Sequence, residues 1–105
     1  MNWIFLLIAG VFEIGWPLGF KLSQNSDKKY FWIGVSIVSM ALSGYFLWLA
    51  QREIPIGTAY AVWTGIGAFG TFFIGIYFFS DSTSALRMIS AFLIIAGVIG
   101  LKLFN

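Results

Sequence analysis

The stretch WIFLLIAGVFEIGWPLGF, residues 3–20, is apolar except for a single acidic residue, Glu13, near its centre. At about 1.5 Å per residue, a helix of this length crosses most of the ~30 Å hydrocarbon core of a bilayer. The stretch therefore predicts a transmembrane helix that ends near Lys21 and carries a deeply placed carboxylate. Inserting such a residue costs ~2.5–3.5 kcal/mol, and residues of this kind usually handle ions or protons. The alternative is a protonated glutamic acid that serves helix packing.

Composition extends this interpretation to the whole chain. Of its 105 residues, 60% are hydrophobic and 10% are charged, which is too apolar for a soluble domain of this size. Short polar loops separate the apolar segments, so neighbouring helices should pack antiparallel as hairpins. The prediction is an all-α integral membrane protein with a single domain over residues 1–105. Its four transmembrane helices are predicted at about residues 3–21, 30–50, 56–79 and 84–104.

Several function classes are disfavoured by what the sequence contains. It has no cysteine and no histidine, so thiolate and imidazole metal sites are excluded and no metal is expected. The net charge of +2 is small and forms no basic patch for nucleic acid. Beyond Glu13 there is no buried general base, and the glycines do not form a phosphate-binding loop, so we do not expect an enzyme.

The first helix places Gly10, Glu13 and Trp16 on one face by their i−3, i and i+3 spacing. A carboxylate beside an indole ring suits an organic cation, because the ring adds roughly 0.5–2 kcal/mol of cation–π attraction to the ionic contact. Trp16 as a simple packing residue is the alternative.

The second helix carries a hydroxyl stripe, Ser36, Ser39 and Ser43, at i, i+3 and i+7. Such serines either allow close packing and bond their own helix or contribute hydrogen bonds to a polar site. Both interpretations stay open from spacing alone.

The third helix has a face that is aromatic and polar at one end and small at the other, with Tyr60, Trp63, Thr64, Gly67 and Thr71 at i, i+3, i+4, i+7 and i+11. The Tyr60 hydroxyl is a candidate partner for Glu13, and Trp63 offers a second ring. Gly65 and Gly67 in mid-span predict a helix kink or a close helix contact.

The fourth helix has small residues seven apart, Ser90 and Gly97, which favours helix association. Four short helices are too few to enclose a solute pathway, so a transporter of this size should be an oligomer.

These residues resemble the small multidrug resistance transporters over nearly the whole chain. The segment PIGTAYAVWTGIG, residues 55–67, is the most specific match, and AFLIIAGV, residues 91–98, looks like the family's dimerisation segment. Trp16, three residues after the glutamate, and the ending IGLK at residues 99–102 are similar to the guanidinium exporter subtype.

The resemblance implies a proton-coupled antiporter of the cell (inner) membrane that exports guanidinium or small substituted guanidinium cations. It implies an antiparallel, dual-topology homodimer in the lipid bilayer, with the proton gradient as the driving force and no cofactor. Glu13 corresponds to the shared proton and substrate site. The residues that match the rest of the pocket are Trp16, Ser43, Tyr60 and Trp63, with Gly10 and Ser39 in support.

Three alternatives stay open at this point. The chain is an exporter of bulkier quaternary ammonium or aromatic cations, one subunit of a heterodimeric pair, or a membrane subunit without transport activity. Pro17 departs from the family pattern, and because it removes a helical hydrogen bond one turn beyond Glu13, it can alter the shape of the pocket.

Overall fold

The computed structural model describes residues 2–104 and consists of four α-helices joined by short loops. The helices are α1 (Asn2–Gln24), α2 (Lys29–Ala50), α3 (Ile56–Phe79) and α4 (Ala85–Leu103). The predicted fold class of a four-helix transmembrane protein is confirmed. The largest difference from the predicted bounds is at the end of α1, which continues past Lys21 to Gln24 because Ser23 bonds back to the Phe20 carbonyl at 2.6 Å.

The helix ends follow from local chemistry. α3 begins after Pro55, which has no N–H to leave unpaired, and it ends at Ser80, whose φ of 58° is left-handed. α4 begins at Ser84, whose side chain accepts a hydrogen bond from the Arg87 backbone N–H at 3.4 Å.

Helix α1 is the centre of the bundle, because it packs along both α2 and α3. Helices α2 and α3 scarcely touch each other, and α4 packs along α3, with Lys102 also reaching the Trp3 ring of α1. A small buried cluster closes the end of the bundle near the chain termini; its members are Leu6, Ala50, Ile54, Ala59 and Val62.

All four helices are long and apolar enough to cross a membrane. At both ends of the bundle, cationic side chains lie over aromatic rings, as expected where side chains reach from the hydrocarbon to the headgroups. The cation-to-centroid pairs are Arg52–Trp48 at 5.0 Å, Lys102–Trp3 at 5.5 Å, Lys21–Phe79 at 5.9 Å and Arg87–Phe72 at 4.7 Å. These pairs lie near the two ends of the bundle, where the membrane boundaries are expected.

Candidate functional site

Glu13 lies halfway along α1, half-buried, and is the one acidic residue within the four helices. The indole Nε1 of Trp16 donates a hydrogen bond to Glu13 Oε1 at 2.5 Å. The structure therefore shows the contact between the carboxylate and the indole that the i, i+3 spacing predicted. The Trp16 ring is itself held edge-on by Phe20, with centroids 5.9 Å apart.

Two cavities meet at the Glu13 side chain. The first, which we call the indole cavity, has a volume of about 250 Å³ and is lined by Glu13, Trp16, Met40, Gly44, Leu47 and Trp63. The second, the inner cavity, lies between α1 and α3, has a volume of about 230 Å³ and is lined by Glu13, Pro17, Thr64, Gly67, Ala68 and Thr71. A water occupies about 30 Å³ of liquid, so each cavity has room for a small cation with several waters.

Ser43 joins three helices next to this site. Its hydroxyl donates to the Ala9 carbonyl of α1 at 2.8 Å and accepts the Trp63 indole N–H of α3 at 2.7 Å. Ala9 is four residues before Glu13, so this bond fixes the turn of α1 that carries the carboxylate. Because the Trp63 N–H is already paired with Ser43, Trp63 presents a ring rather than a donor to the indole cavity.

Tyr60 packs on Trp63, with ring centroids 5.4 Å apart, but 57% of the residue is exposed. No hydrogen bond joins Tyr60 to Glu13 in residues 2–104. Its predicted role in the pocket stays a prediction.

The glycines predicted as site or hinge residues allow close helix contacts. A side chain at Gly67 would collide with the Glu13 side chain, and one at Gly10 would meet Ile66. Gly65 packs in the same way against Val98 of α4. Since α3 is one continuous α-helix through residues 65 and 67, the predicted kink stays a prediction and the packing role is what the structure describes.

All three serines of the α2 stripe contact α1, but only Ser36 and Ser43 bond its backbone. Ser39 packs against Gly15 and lines a different cavity beside Phe12, outside both cavities at Glu13. Ser36, which the site prediction omitted, is fully buried and donates to the Trp16 carbonyl at 2.8 Å. Ser36 belongs to the hydroxyl stripe that the sequence identified, but spacing alone does not show which serines of the stripe bond α1.

Ser90 and Gly97, predicted for helix association, are both exposed on α4. Nothing lies within 4 Å of the position that a side chain at Gly97 would occupy. The Ser90 hydroxyl bonds to the Leu86 carbonyl of its own helix at 2.8 Å. This face is therefore available for association, but residues 2–104 alone do not test that role.

Three residues outside the predicted site line the inner cavity. Thr64 and Thr71, which the spacing placed on the same face of α3 as Trp63, line it from α3, and Pro17 lines it from α1. In the described part of the chain, no three acidic side chains cluster as metal ligands would.

Comparison with known proteins agrees with this architecture. The sequence model of the Small Multidrug Resistance protein family matches residues 1–94. A guanidinium exporter of Yersinia pseudotuberculosis is 48% identical over 103 residues, with 98% of both chains covered. Guanidinium exporters of Citrobacter freundii and Salmonella typhimurium strain LT2 are 47% and 45% identical, each covering 98% of this chain and 97% of the relative.

These matches confirm the resemblance that the sequence motifs suggested, and they cover the site helices completely. The four spans and the family together identify a multi-pass membrane transporter rather than an enzyme. The chain belongs to the small multidrug resistance protein family.

Proposed function

We propose that this chain exports guanidinium or small substituted guanidinium cations across the inner membrane in exchange for protons. The relatives that bear the name guanidinium exporter align with nearly the whole chain and support the substrate class. The observation that carries the proposal is Glu13, a half-buried carboxylate in an apolar helix, bonded by Trp16 and open to two cavities.

The chemistry of the site suits a planar cation rich in N–H donors. The Trp16 N–H uses one lone pair of Glu13 Oε1. The remaining lone pairs of the carboxylate can accept two parallel N–H bonds from a planar guanidinium. The rings of Trp16 and Trp63 both line the indole cavity and add roughly 0.5–2 kcal/mol of cation–π attraction. A quaternary ammonium has no N–H to offer, so it gains only the ring contacts.

Exchange follows from competition at one carboxylate. A proton neutralises Glu13 and a guanidinium also neutralises it, but both cannot be bound to the same oxygens at once. The site can change the membrane side to which it opens more easily when Glu13 is neutralised in either way than when the carboxylate is empty and charged. The proton gradient then drives cation export, and no cofactor takes part.

The active unit in this proposal is an antiparallel homodimer. Within one chain the inner cavity is bordered by exposed Thr64 and Ala68, so Glu13 is not shielded from the bilayer by its own helices. A second copy covers this side, with the exposed α4 face at Ser90 and Gly97 as the association surface. One Glu13 from each copy then faces a shared pathway.

Transport by purified protein in liposomes tests the function. An imposed guanidinium gradient should drive proton movement, and Glu13→Gln should abolish it. Glu53→Gln is the matched control, since Glu53 is an exposed carboxylate in the loop between α2 and α3, where it accepts a hydrogen bond from Asn2 at 2.7 Å. Guanidinium-driven proton flux that survives Glu13→Gln contradicts the proposal, as does faster exchange of a tetraalkylammonium ion than of guanidinium.

Topology has its own test, because the chain contains no cysteine. A single Ser26→Cys substitution in the first loop allows labelling by a membrane-impermeant maleimide from each side in turn. An antiparallel dimer predicts that about half of the chains react from each side. Labelling from one side alone contradicts the antiparallel assembly without affecting the substrate assignment.

A further inference from the structure

A third cavity, which we call the mouth cavity, continues the inner cavity toward the membrane boundary. It has a volume of about 280 Å³, and its lining shares Pro17 and Thr71 with the inner cavity. Its charged residues are Lys21 of α1 and Asp81, which follows α3. The two cavities therefore form one groove between α1 and α3, with Glu13 at its inner end and Asp81 at its outer end.

The chain folds Asp81 onto this groove through two local features. Ser80 has a left-handed φ of 58°, an uncommon conformation for a residue other than glycine, and it turns the chain back at the end of α3. The Asp81 N–H then bonds the Gly75 carbonyl at 3.1 Å, and its carboxylate packs over the bare backbone of Gly75, where no side chain would fit. The carboxylate is thus held against the helix.

Along the groove, side chains with oxygen atoms that can contact a cation follow one another from the outer end to the inner end. Asp81 is exposed, Thr71 lines both cavities, and Glu13 lies beyond it. Pro17 has no N–H, so the Glu13 carbonyl also lacks its usual helical donor at this wall. Lys21 is the counter-charge at the mouth, with its ammonium 5.9 Å from the Phe79 ring centroid.

We propose that Asp81 is an outer cation-binding residue, which receives guanidinium at the mouth of the α1–α3 groove before the cation reaches Glu13. The proposal rests on the transport function proposed above. The arriving cation competes with the Lys21 ammonium, which lines the same cavity, for the Asp81 carboxylate. The effect belongs to loading rather than to translocation, because a carboxylate at the rim raises the local concentration of cations and does not enter the exchange step.

The experiment measures initial rates of guanidinium-driven proton flux against guanidinium concentration in liposomes. Asp81→Asn should raise KM about two- to fivefold and leave kcat within about twofold, the size expected of one charge at a water-exposed contact. Asp81→Glu keeps the carboxylate and should therefore show the wild-type KM. Asp27→Asn is the matched control, since it removes the same charge from the exposed first loop away from the groove.

Two further variants separate a positioned contact from a general charge effect. Gly75→Ala displaces the Asp81 carboxylate without changing any charge, and it should raise KM as Asp81→Asn does. Lys21→Gln removes the competing ammonium, and it should lower KM.

The outcomes also separate this inference from the proposed function. If the wild-type protein shows no guanidinium-coupled flux, the proposed function fails. If the wild type transports guanidinium but Asp81→Asn matches Asp27→Asn, or lowers kcat with KM unchanged, only the role of Asp81 is overturned.

Discussion

Helices α1 and α4 are both apolar spans, yet their surroundings differ sharply. α1 packs between α2 and α3, and serines of α2 bond its backbone on both sides of Glu13, at Ala9 and Trp16. The backbone of α4 packs only along α3, and among its described residues only Ala91 is buried. Similar hydrophobicity therefore supports two roles: one helix fixes a carboxylate, and the other leaves its surface to lipid or to a second copy.

The difference arises from small residues and hydroxyls rather than from apolar content. Lipid tails are as apolar as leucine, so packing and hydrogen bonds decide how closely membrane helices approach. α1 has both kinds of contact with its neighbours, whereas the one side-chain hydroxyl of α4 bonds its own helix. Equal substitutions in the two environments should therefore have unequal effects.

The largest contrast is expected from replacing a glycine by alanine in each of the two environments. Gly67→Ala introduces a methyl group that collides with the Glu13 side chain, whereas Gly100→Ala on α4 meets nothing within 4 Å. Overpacking costs about 1–3 kcal/mol, so Gly67→Ala should reduce guanidinium exchange about tenfold or more. Gly100→Ala should stay within about twofold of wild type in the same liposome assay. Equal transport by the two variants would contradict the tight contact at Glu13.

The sequence was sufficient for the features that depend on one helix. Apolar length predicted the four spans, and helical spacing predicted the Glu13–Trp16 pair, since both lie within a single turn of α1. Features between helices were less accessible, because the rotation of α2 about its axis is set by packing and leaves no local signal. The sequence therefore could not separate Ser36, which bonds α1, from Ser39, which faces another cavity.

The same limit applies to the ends of the loops. In the sequence Asp81 is indistinguishable from an ordinary acidic loop residue, and its position on the groove depends on the left-handed Ser80 and on the absence of a side chain at Gly75. Residue types do not predict this turn, since serine seldom adopts a positive φ.

A second, intermediate contrast is expected from removing a hydroxyl. Ser43→Ala breaks two bonds and leaves the Trp63 N–H without its partner, whereas Ser90→Ala removes an exposed bond within α4. An unpaired buried donor costs about 1–3 kcal/mol, although bonds between membrane helices average nearer 0.6 kcal/mol. Ser43→Ala should therefore lower the unfolding midpoint in detergent measurably, and Ser90→Ala should not. A larger loss for Ser90→Ala would mean that α4 carries more of the stability than its contacts indicate.

The smallest effect is expected where α4 meets α3. The Phe92 ring lies edge-on to Phe69 and Phe73, with centroids 6.0 and 6.1 Å away, yet the residue is 52% exposed. Phe92→Leu keeps most of the apolar contact and loses only the aromatic geometry, which is worth about 0.5–1.5 kcal/mol in well-packed pairs. Because neither phenylalanine of α3 lines a cavity at Glu13, guanidinium exchange should stay within about twofold of wild type while the unfolding midpoint falls slightly.

Stability and transport must be measured on the same preparation of Phe92→Leu, because the comparison depends on separating them. A small loss of stability with normal exchange means that α4 supports the bundle without shaping the site. A tenfold loss of exchange at an unchanged midpoint would instead connect α4 to Glu13. That connection would run through α3, the helix along which α4 packs and to which Phe92 is bound by its ring contacts.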